Sequence, residues 1–453
     1  MMIMSQHLEM EGLGQQLKVN NMNVQQINDQ LIEFLSHSSC GECAVESMMT
    51  TLKDNGFDCY DQTMENLNFK KGASIAINYY GNMVVAVKIP ENLSSLKFKV
   101  IASHNDVPLL KVCHNGLEIG KNYTLVHCDT YGGVLKHPWF DRPLKLVGRV
   151  MVEKDGMIES QVFDSNCAIG CLPSLAIHYQ RNLNTEGFKV DNDNDLRVMI
   201  DPSITSLESY VANLLNIDAD NILHSDYYFA SAQKGMIYGD YQWIQADHLD
   251  DMMCGYTTMQ GLLDATVEDN IAIFVSFDSE EIGSKTLAGA FSTHFKSLLE
   301  KITSDLGYTY QQMIQACNQS LLISADNAHA THTTASAIFG TMANCYMNQG
   351  IVIKQSTRKA YASEAYGSAA LKQIMRNANI DYQEFENKPG VLGGGTLGCI
   401  SMGQISIPTV DIGAAQMAMH SINEMAGCQD VYNLYLLAKV FFSKSFHLTG
   451  VKQ

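Results

Sequence analysis

Two adjacent carboxylates, Glu280 and Glu281, follow an apolar run at 271–277 whose composition predicts a β-strand. Neighbouring carboxylates repel each other, so a strand end that holds two of them usually has a cation nearby. Charged pairs are also common in solvated loops, because most charged side chains face water. The pair alone therefore leaves a cation site and an acidic surface loop as alternatives.

A histidine and an aspartate close a second apolar run, at 98–103. His104 and Asp106 are two residues apart, so in an extended chain both side chains lie on the same face. Asp106 can then accept a hydrogen bond from one ring nitrogen while the other ring nitrogen binds a metal ion. This spacing predicts a metal ligand together with the group that orients it.

Further carboxylates and a histidine occur at comparable places along the chain. Asp326 follows an apolar run at 321–325, Asp250 precedes a predicted helix, and His420 lies shortly after a third apolar run. Open α/β sheets place their sites at strand ends, and zinc accepts both histidine nitrogen and carboxylate oxygen. The combined set has the ligand types of a site for two zinc ions: His104, Asp250, Glu281, Asp326 and His420.

Length and charge restrict the class of protein. The chain has 453 residues, 46% of them hydrophobic, which is enough for a large core and for two domains. Its net charge of −18 argues against nucleic acid or an anionic membrane as a partner, because both would repel it. Residues 1–24 show neither a signal peptide nor a membrane span, so a cytoplasmic location is expected.

Twelve cysteines are scattered without a disulfide framework. Cys40 and Cys43 have the CxxC spacing of redox or zinc motifs, but no second CxxC accompanies them. We therefore interpret the cysteines as free thiols in a reducing compartment, with a structural zinc at Cys40 and Cys43 as the less favoured alternative.

The elements that must position these side chains alternate between helices and strands, which is typical of an α/β fold. A segment at 130–162 is instead rich in β-forming residues and turns, and it indicates a β-rich module inserted between two halves of the α/β domain. A hairpin is predicted at 74–89, around Gly81-Asn82. Helices are predicted at 24–35, 44–55, 172–181, 363–377 and 431–442, and strands at 271–277, 321–325 and 405–412.

Six segments make the chain similar to the aspartyl aminopeptidases, a family of dinuclear zinc exopeptidases, and most similar to its bacterial branch. The segments are TYGG at 130–133, WFDR at 139–142, IHYQRN at 177–182, DSEEIGS at 278–284, SADNAH at 324–329 and AMHSINE at 418–424. The resemblance implies a mixed-sheet zinc-exopeptidase domain formed by 1–107 and 228–453. It also implies that residues 108–227 form an inserted β-rich domain that dimerises the protein, with six dimers assembled into a tetrahedral dodecamer.

The resemblance also implies a role for each ligand. Asp250 would bridge two zinc ions, with His104 on one and His420 on the other, and cobalt or manganese as alternative metals. Glu281 and Asp326 would complete the ligand set, and the peptide bond after Asp250 would be cis.

The catalytic and substrate-binding groups follow from the same resemblance. Glu280 would be the general base and Asp106 the group that orients His104. His178 would reach into the site of a neighbouring subunit, where it stabilises the oxyanion. Lys354 would face the side chain of the substrate's N-terminal residue and favour Asp or Glu, although a solvated lysine at a strand end is the commoner fate of this residue type.

His329 lies close enough to Asp326 to contact the site and the substrate.

Other functions remain as alternatives. The expected function is removal of N-terminal residues from peptides with a free N-terminus. The alternatives are an aminopeptidase of broader specificity, another metal-dependent hydrolase on the same scaffold, and a binding protein that has lost catalysis. The WFDR segment at 139–142 argues against the other hydrolases, and it is expected to supply core residues and an ion pair.

Overall fold

The computed structural model describes residues 22–339, 344–390 and 394–444. The strands in these ranges are β1 (Asp58–Asp61), β2 (Ser74–Tyr79), β3 (Met83–Lys88), β4 (Phe98–His104), β5 (Leu109–Ile119), β6 (Thr124–Tyr131), β7 (Leu144–Lys154), β8 (Met157–Asp164), β9 (Gly170–Cys171), β10 (Arg197–Ile200), β11 (Ile222–Ser231), β12 (Met236–Tyr238), β13 (Trp243–Ala246), β14 (Ile271–Phe277), β15 (Leu321–Ala325), β16 (Ala328–His329), β17 (Ile351–Gln355), β18 (Tyr382–Glu386), β19 (Thr409–Gly413), β20 (Ala415–Met417) and β21 (Glu424–Gly427).

The helices surround these strands. They are α1 (Val24–Ser36), α2 (Gly41–Asp54), α3 (Leu183–Glu186), α4 (Asn192–Asp195), α5 (Leu207–Leu215), α6 (Leu249–Leu263), α7 (His294–Asp305), α8 (Tyr310–Asn318), α9 (Ser336–Phe339), α10 (Ala365–Ala378), α11 (Leu397–Ile405) and α12 (Cys428–Ser443). None of the helices in the described ranges combines the length and apolar character needed to cross a bilayer.

A nine-stranded mixed sheet, in the order β1-β2-β3-β14-β4-β15-β19-β17-β18, forms the centre of the α/β part. Strands β14, β4, β15 and β19 run parallel to one another. Alternate residues face opposite cores: Ile101 and Phe274 contribute to the core that contains α6 and α12, whereas Val100 and Val275 contribute to the core that contains α7. Both faces are therefore buried, which is why these strands read as continuous apolar runs.

A seven-stranded antiparallel sheet takes all its strands from residues 109–231. Strand β11 pairs with both β5 and β7, so the sheet closes on itself. The β-rich character predicted for 130–162 is confirmed. The domain boundaries at 107/108 and 227/228, and a dimerising role for this part, stay predictions.

A smaller sheet of five strands has the order β12-β13-β21-β20-β16. His329 ends β16, and His420 lies in the connection between β20 and β21. This sheet therefore positions two of the predicted site residues that the nine-stranded sheet does not carry.

Most of the predicted elements are present, and two are wrong. The helix predicted at 172–181 is replaced by an irregular segment with one 3₁₀ turn, Ile177–Tyr179. Leu172 is buried, but Leu175 and Tyr179 are 58% and 82% exposed, so the segment lacks the continuous buried face that stabilises a short helix. The strand predicted at 405–412 begins only at Thr409, because Pro408 lacks the amide hydrogen that continued pairing would need.

Candidate metal centre and active site

The carboxyl ends of three neighbouring parallel strands bring the first site residues together. His104 is the last residue of β4 and pairs with Phe277 at the end of β14. The chain then turns through Ser279 and Gly283, both with positive φ, and places Glu280 at the same sheet edge. Asp326 follows β15 directly. The strand-end placement predicted for these residues is what the structure has.

Asp250 and His420 arrive from outside this sheet. Asp250 lies in the first turn of α6, and its peptide bond to Asp251 is cis, as the resemblance implies. The buried Glu424 side chain accepts hydrogen bonds from the Asp250 amide (2.9 Å) and the His420 amide (2.5 Å). A single carboxylate therefore holds the backbones of two predicted ligands. Our sequence analysis missed Glu424, although it ends the AMHSINE segment.

The predicted ligands converge on Asp250. His104 Nε2 lies 3.7 Å from Asp250 Oδ1, and His420 Nε2 lies 3.5 Å from Asp250 Oδ2. Among the described residues, three groups have ligand atoms within 4.8 Å of one another: His104, Asp250 and Asp326; Asp250, Glu281 and His420; and His104, Glu280 and Glu281. Asp250 belongs to the first two groups, and its two oxygens face different histidines.

The two histidine rings are oriented for ligation through Nε2. His104 Nδ1 donates to the carbonyl oxygen of Asp106 (3.0 Å), and His420 Nδ1 donates to the carbonyl oxygen of Gly133 (3.1 Å). Because a carbonyl oxygen only accepts, each Nδ1 carries the proton and each Nε2 keeps its lone pair. The second contact explains how the TYGG segment at 130–133 serves the site, which our sequence analysis did not anticipate.

The donor set fits a divalent cation. Asp250 Oδ1 and Glu281 Oε1 are buried and have no hydrogen-bond partner among the described residues. His420 Nε2 lies 3.2 Å from that Glu281 oxygen, in a contact without hydrogen-bond geometry. Buried carboxylate oxygens without donors are costly unless a cation satisfies them. Their proximity to two imidazole nitrogens is the arrangement that zinc prefers.

The pKa values of these groups reflect the crowding of negative charge. Burial, together with the neighbouring carboxylates, raises the pKa of Glu280 to about 8. Burial also raises the pKa of Asp326 to about 6. Burial lowers the pKa of His420, but the nearby Asp250 and Glu281 carboxylates outweigh it and raise that pKa to about 11. The site therefore retains protons, which bound cations would displace.

Asp106 fixes the turn that carries the two glutamates. Its Oδ1 accepts from the Glu280 amide (2.9 Å), and its Oδ2 accepts from the Glu281 amide (3.1 Å) and the Tyr131 hydroxyl (3.0 Å). Asp106 Oδ1 also lies 3.4 Å from His104 Nδ1, although the ring's hydrogen bond goes to the Asp106 carbonyl. Asp106 thus orients the predicted base as well as His104, a wider role than its spacing predicted.

A cavity of about 360 Å³ opens over the site. Glu280, Lys354 and His329 line it together with the predicted ligands Asp250, Glu281, Asp326 and His420. Lys354 is 3% exposed and its Nζ lies 3.2 Å from Asp326 Oδ2, so the alternative of a solvated lysine is wrong. Burial lowers the pKa of Lys354, but Asp326 outweighs burial and raises it. Larger cavities occur elsewhere, including one of about 900 Å³ beside Cys167 and Tyr210, but the predicted ligands do not line it.

His178 is the predicted site residue that the structure keeps apart from the others. It lies on the exposed 3₁₀ turn Ile177–Tyr179 and does not line the cavity. In the WFDR segment, Trp139 is buried as expected. The ion pair expected there is not made within the described chain, because Asp141 accepts from the Ser174 amide and Arg142 donates to Gln233.

The chain is similar to known proteins over most of its length. The profile of the family described as aminopeptidase I zinc metalloprotease (M18) matches residues 34–442. A probable M18 family aminopeptidase 2 of Clostridium acetobutylicum is 31% identical over 412 residues, covering 88% of this chain and 94% of the relative. The corresponding protein of Stutzerimonas stutzeri is 30% identical over 431 residues, covering 93% and 99%.

Solved structures share the fold over nearly the whole chain. Ape4, in a structure titled as its complex with Nbr1, has a TM-score of 0.87 at 25% identity and covers 92% of this chain and 86% of its own. An M18 aminopeptidase of Thermotoga maritima has a TM-score of 0.80 at 19% identity, covering 96% and 100%. Yeast mApe1, solved as a dodecamer, has a TM-score of 0.81 at 23% identity, covering 93% and 97%.

Proposed function

The chain belongs to the aminopeptidase I zinc metalloprotease (M18) family, and from this premise we propose that it removes single residues from the free N-terminus of peptides. The observation that carries the proposal is the position of Asp250 between two histidines, in two of the three groups of described residues able to hold a metal ion. Two-metal hydrolases hold their ions about 3.5–4 Å apart, and a carboxylate with one oxygen towards each ion suits that spacing.

We infer two zinc ions per subunit. His104 and Asp326 would hold one ion, Glu281 and His420 the other, and Asp250 both; cobalt or manganese are alternative occupants of the same ligand set. The support is the donor chemistry, since each group offers one imidazole nitrogen and two carboxylates. Zinc bound here would polarise the scissile carbonyl and acidify a water molecule.

Glu280 would act as the general base. It lines the cavity beside the ligand carboxylates and also lies in the group of His104 and Glu281; with the metal ions held by the two groups that share Asp250, its oxygens would be left to take a proton. It would take a proton from the attacking water and return it to the leaving amine, which leaves poorly until it is protonated. Asp106 would hold Glu280 in place through the amide hydrogen bond described above.

Selection of a free N-terminus would also take place at the metal ligand set. An unprotonated α-amino nitrogen has a lone pair that one of the two zinc ions would bind, as zinc binds a histidine nitrogen. Acetylation of the substrate removes the basic nitrogen. Selectivity for the N-terminal residue of a peptide would follow from this contact.

For the side chain of that residue we propose a preference for Asp or Glu, provided by Lys354. The Lys354 ammonium lies 3.2 Å from Asp326 Oδ2. When a metal ion offsets the charge of Asp326, the charge of Lys354 is no longer neutralised by that carboxylate and can attract an acidic side chain of the substrate. A broader specificity is the second candidate. It is favoured by the apolar side chains of Phe385, Ile400 and Met419 in the same lining.

We further propose that the active form is an oligomer. The support is the exposure of His178, beside the exposed apolar side chains of Leu175 and Tyr179. Dimerisation through residues 108–227, assembly into a tetrahedral dodecamer and entry of His178 into a neighbouring site are parts of this proposal, as is the cytoplasmic location expected from the sequence.

The test compares matched peptides with free and acetylated N-termini. Zinc-loaded protein should release the first residue of Asp-, Glu-, Leu- and Ala-initiated peptides and leave the acetylated forms intact. A chelator should abolish release and added zinc should restore it. Cleavage of the acetylated peptides at a comparable rate would reject an aminopeptidase in favour of another hydrolase, and equal rates for acidic and apolar termini would select the broader specificity.

A further inference from the structure

The CxxC pair left unexplained by the proposed function is a pair of thiols in contact. Cys40 immediately precedes α2 and Cys43 lies in its first turn, with the two sulfur atoms 3.0 Å apart. Residues three apart at a helix start are neighbours, which suits the short span of a disulfide. A bond of about 2.05 Å would require the sulfurs to approach by roughly 1 Å.

Both cysteines are buried, but they differ in access. Cys40 is completely buried, whereas Cys43 is 5% exposed and lies at the wall of an open groove of about 710 Å³, lined also by Phe34, Phe163 and Tyr256. Burial raises the pKa of the Cys40 thiol, so it is the less reactive partner. A small oxidant would therefore meet Cys43 first. Cys40 would then be the thiol that completes the disulfide.

Gly41, the first of the two residues between the cysteines, packs against the backbone of Asn105 and Asp106. At Gly41, a β-carbon would lie 3.3 Å from the Asn105 carbonyl oxygen and 3.5 Å from the Asp106 α-carbon. The CxxC turn therefore rests directly on the backbone of Asn105 and Asp106. Because the Asp106 carboxylate holds the amides of Glu280 and Glu281, a shift of this turn reaches both glutamates through a single intervening residue.

We propose that Cys40 and Cys43 form an oxidisable site that switches the activity, with the dithiol form active and the disulfide form slow. The oxidant is hydrogen peroxide. The Cys43 sulfur attacks the peroxide, the O–O bond breaks, and one oxygen leaves as water while Cys43 becomes a sulfenic acid. The Cys40 sulfur then attacks the Cys43 sulfur, the S–S bond forms, and the second oxygen leaves as water with the Cys40 proton.

This step transfers two electrons from the two thiols to the peroxide and leaves a disulfide that a reductant reopens. Closing the bond draws the start of α2 together and moves Gly41 against Asn105 and Asp106. Misplacing a catalytic group by about 1 Å can cost up to about a hundredfold in rate, so we expect the disulfide to lower kcat by about tenfold or more. The expected fall in kcat rests on the proposed peptidase function.

The experiment treats zinc-loaded full-length protein with limiting hydrogen peroxide. Peptide mapping should find a Cys40–Cys43 cross-link, kcat should fall, and a phosphine reductant, which leaves methionine sulfoxide untouched, should restore it. Hydrogen exchange at the Glu280 and Glu281 amides should quicken in the oxidised form. Cys43→Ser should keep its activity under peroxide, whereas Cys59→Ser, at an exposed cysteine, should remain switchable.

Three results would contradict the proposed cross-link or its effect on activity. Oxidation of exposed Cys59 without the Cys40–Cys43 cross-link would overturn the site, and a cross-link with unchanged kcat and unchanged exchange would overturn the switch. Loss of activity in Cys43→Ser under peroxide would assign the effect elsewhere. Should Cys43→Ser fail to fold, Cys43→Ala replaces it, and mapping and exchange on the wild-type chain need no variant. A chain inactive before oxidation would fail the proposed function, while exchange would still decide the switch.

Discussion

Replacing Asp106 by Asn is the most informative single change, because one carboxylate supports the whole turn at 280–281. The two carboxylate oxygens accept from different backbone amides, those of Glu280 and Glu281, and Oδ2 also accepts from the Tyr131 hydroxyl. An asparagine keeps the shape but has only one oxygen. Its amide nitrogen must face one of the two backbone amides, donor against donor.

The favourable orientation keeps the oxygen on the Glu280 amide and turns the nitrogen towards Tyr131, whose hydroxyl oxygen can accept from it. The Glu281 amide is then buried without a partner, which costs about 1–3 kcal/mol, and the remaining bond loses its charge assistance, about 1 kcal/mol more. The free energy of unfolding should therefore fall by about 2–4 kcal/mol. Because Glu281 is a proposed metal ligand and Glu280 the proposed base, zinc affinity and kcat should fall together, kcat by about a hundredfold.

Urea unfolding of metal-free protein measures the stability, and turnover at saturating zinc measures kcat. Asp141→Asn is the matched control, since Asp141 also accepts from a backbone amide, that of Ser174, but at an exposed position where water can replace the bond. Its cost should stay within about 0.5 kcal/mol. An Asp106→Asn protein with the unfolding midpoint and kcat of the wild type would refute the assignment of this carboxylate as the support of the turn.

Four further results are expected. Asp250→Ala should lose both zinc ions, and full metal occupancy by elemental analysis would contradict a bridging role. Glu280→Gln should retain zinc by the same analysis and lose turnover, because an amide preserves shape but accepts no proton. Lys354→Met should destabilise the metal-free protein by about 3–5 kcal/mol in urea unfolding, since buried Asp326 loses its partner at 3.2 Å, and should reduce the rate ratio of Asp- to Leu-initiated peptides. Mixed subunits of inactive His178→Ala and inactive Glu280→Gln should recover partial activity, and no recovery after verified subunit exchange would exclude a role for His178 in a neighbouring site.

Sequence alone was sufficient for features whose physical cause is local. The strands at 271–277 and 321–325 are continuous apolar runs, because both faces of their sheet are buried, and both have the predicted bounds. The hairpin around Gly81-Asn82 is formed as predicted by strands Ser74–Tyr79 and Met83–Lys88. Gly56 adopts the positive φ expected of a glycine that ends a helix.

The placement of His104 and Asp326 at one sheet edge was also predictable, because parallel neighbouring strands end together. What no local pattern indicated was the function of Glu424, whose two amide contacts join α6 to the connection between β20 and β21. Likewise, the carbonyl of Gly133 meets the His420 ring across 287 residues of sequence. Such partners are fixed by long-range packing and leave no periodicity in the chain.

The fate of charged and apolar surface residues was decided by tertiary structure for the same reason. A lysine at a strand end is usually solvated. Lys354 is instead buried, because the sheet brings Asp326 beside it and this carboxylate offsets the cost of removing the lysine charge from water. The segment at 172–181 has helical composition, yet it remains irregular because the apolar side chains of Leu175, Ile177 and Tyr179 stay exposed in the described subunit. The sequence indicated the candidate site residues and the ends of the strands that hold them, whereas only folding determined which of these groups meet, because burial and pairing depend on neighbours distant along the chain.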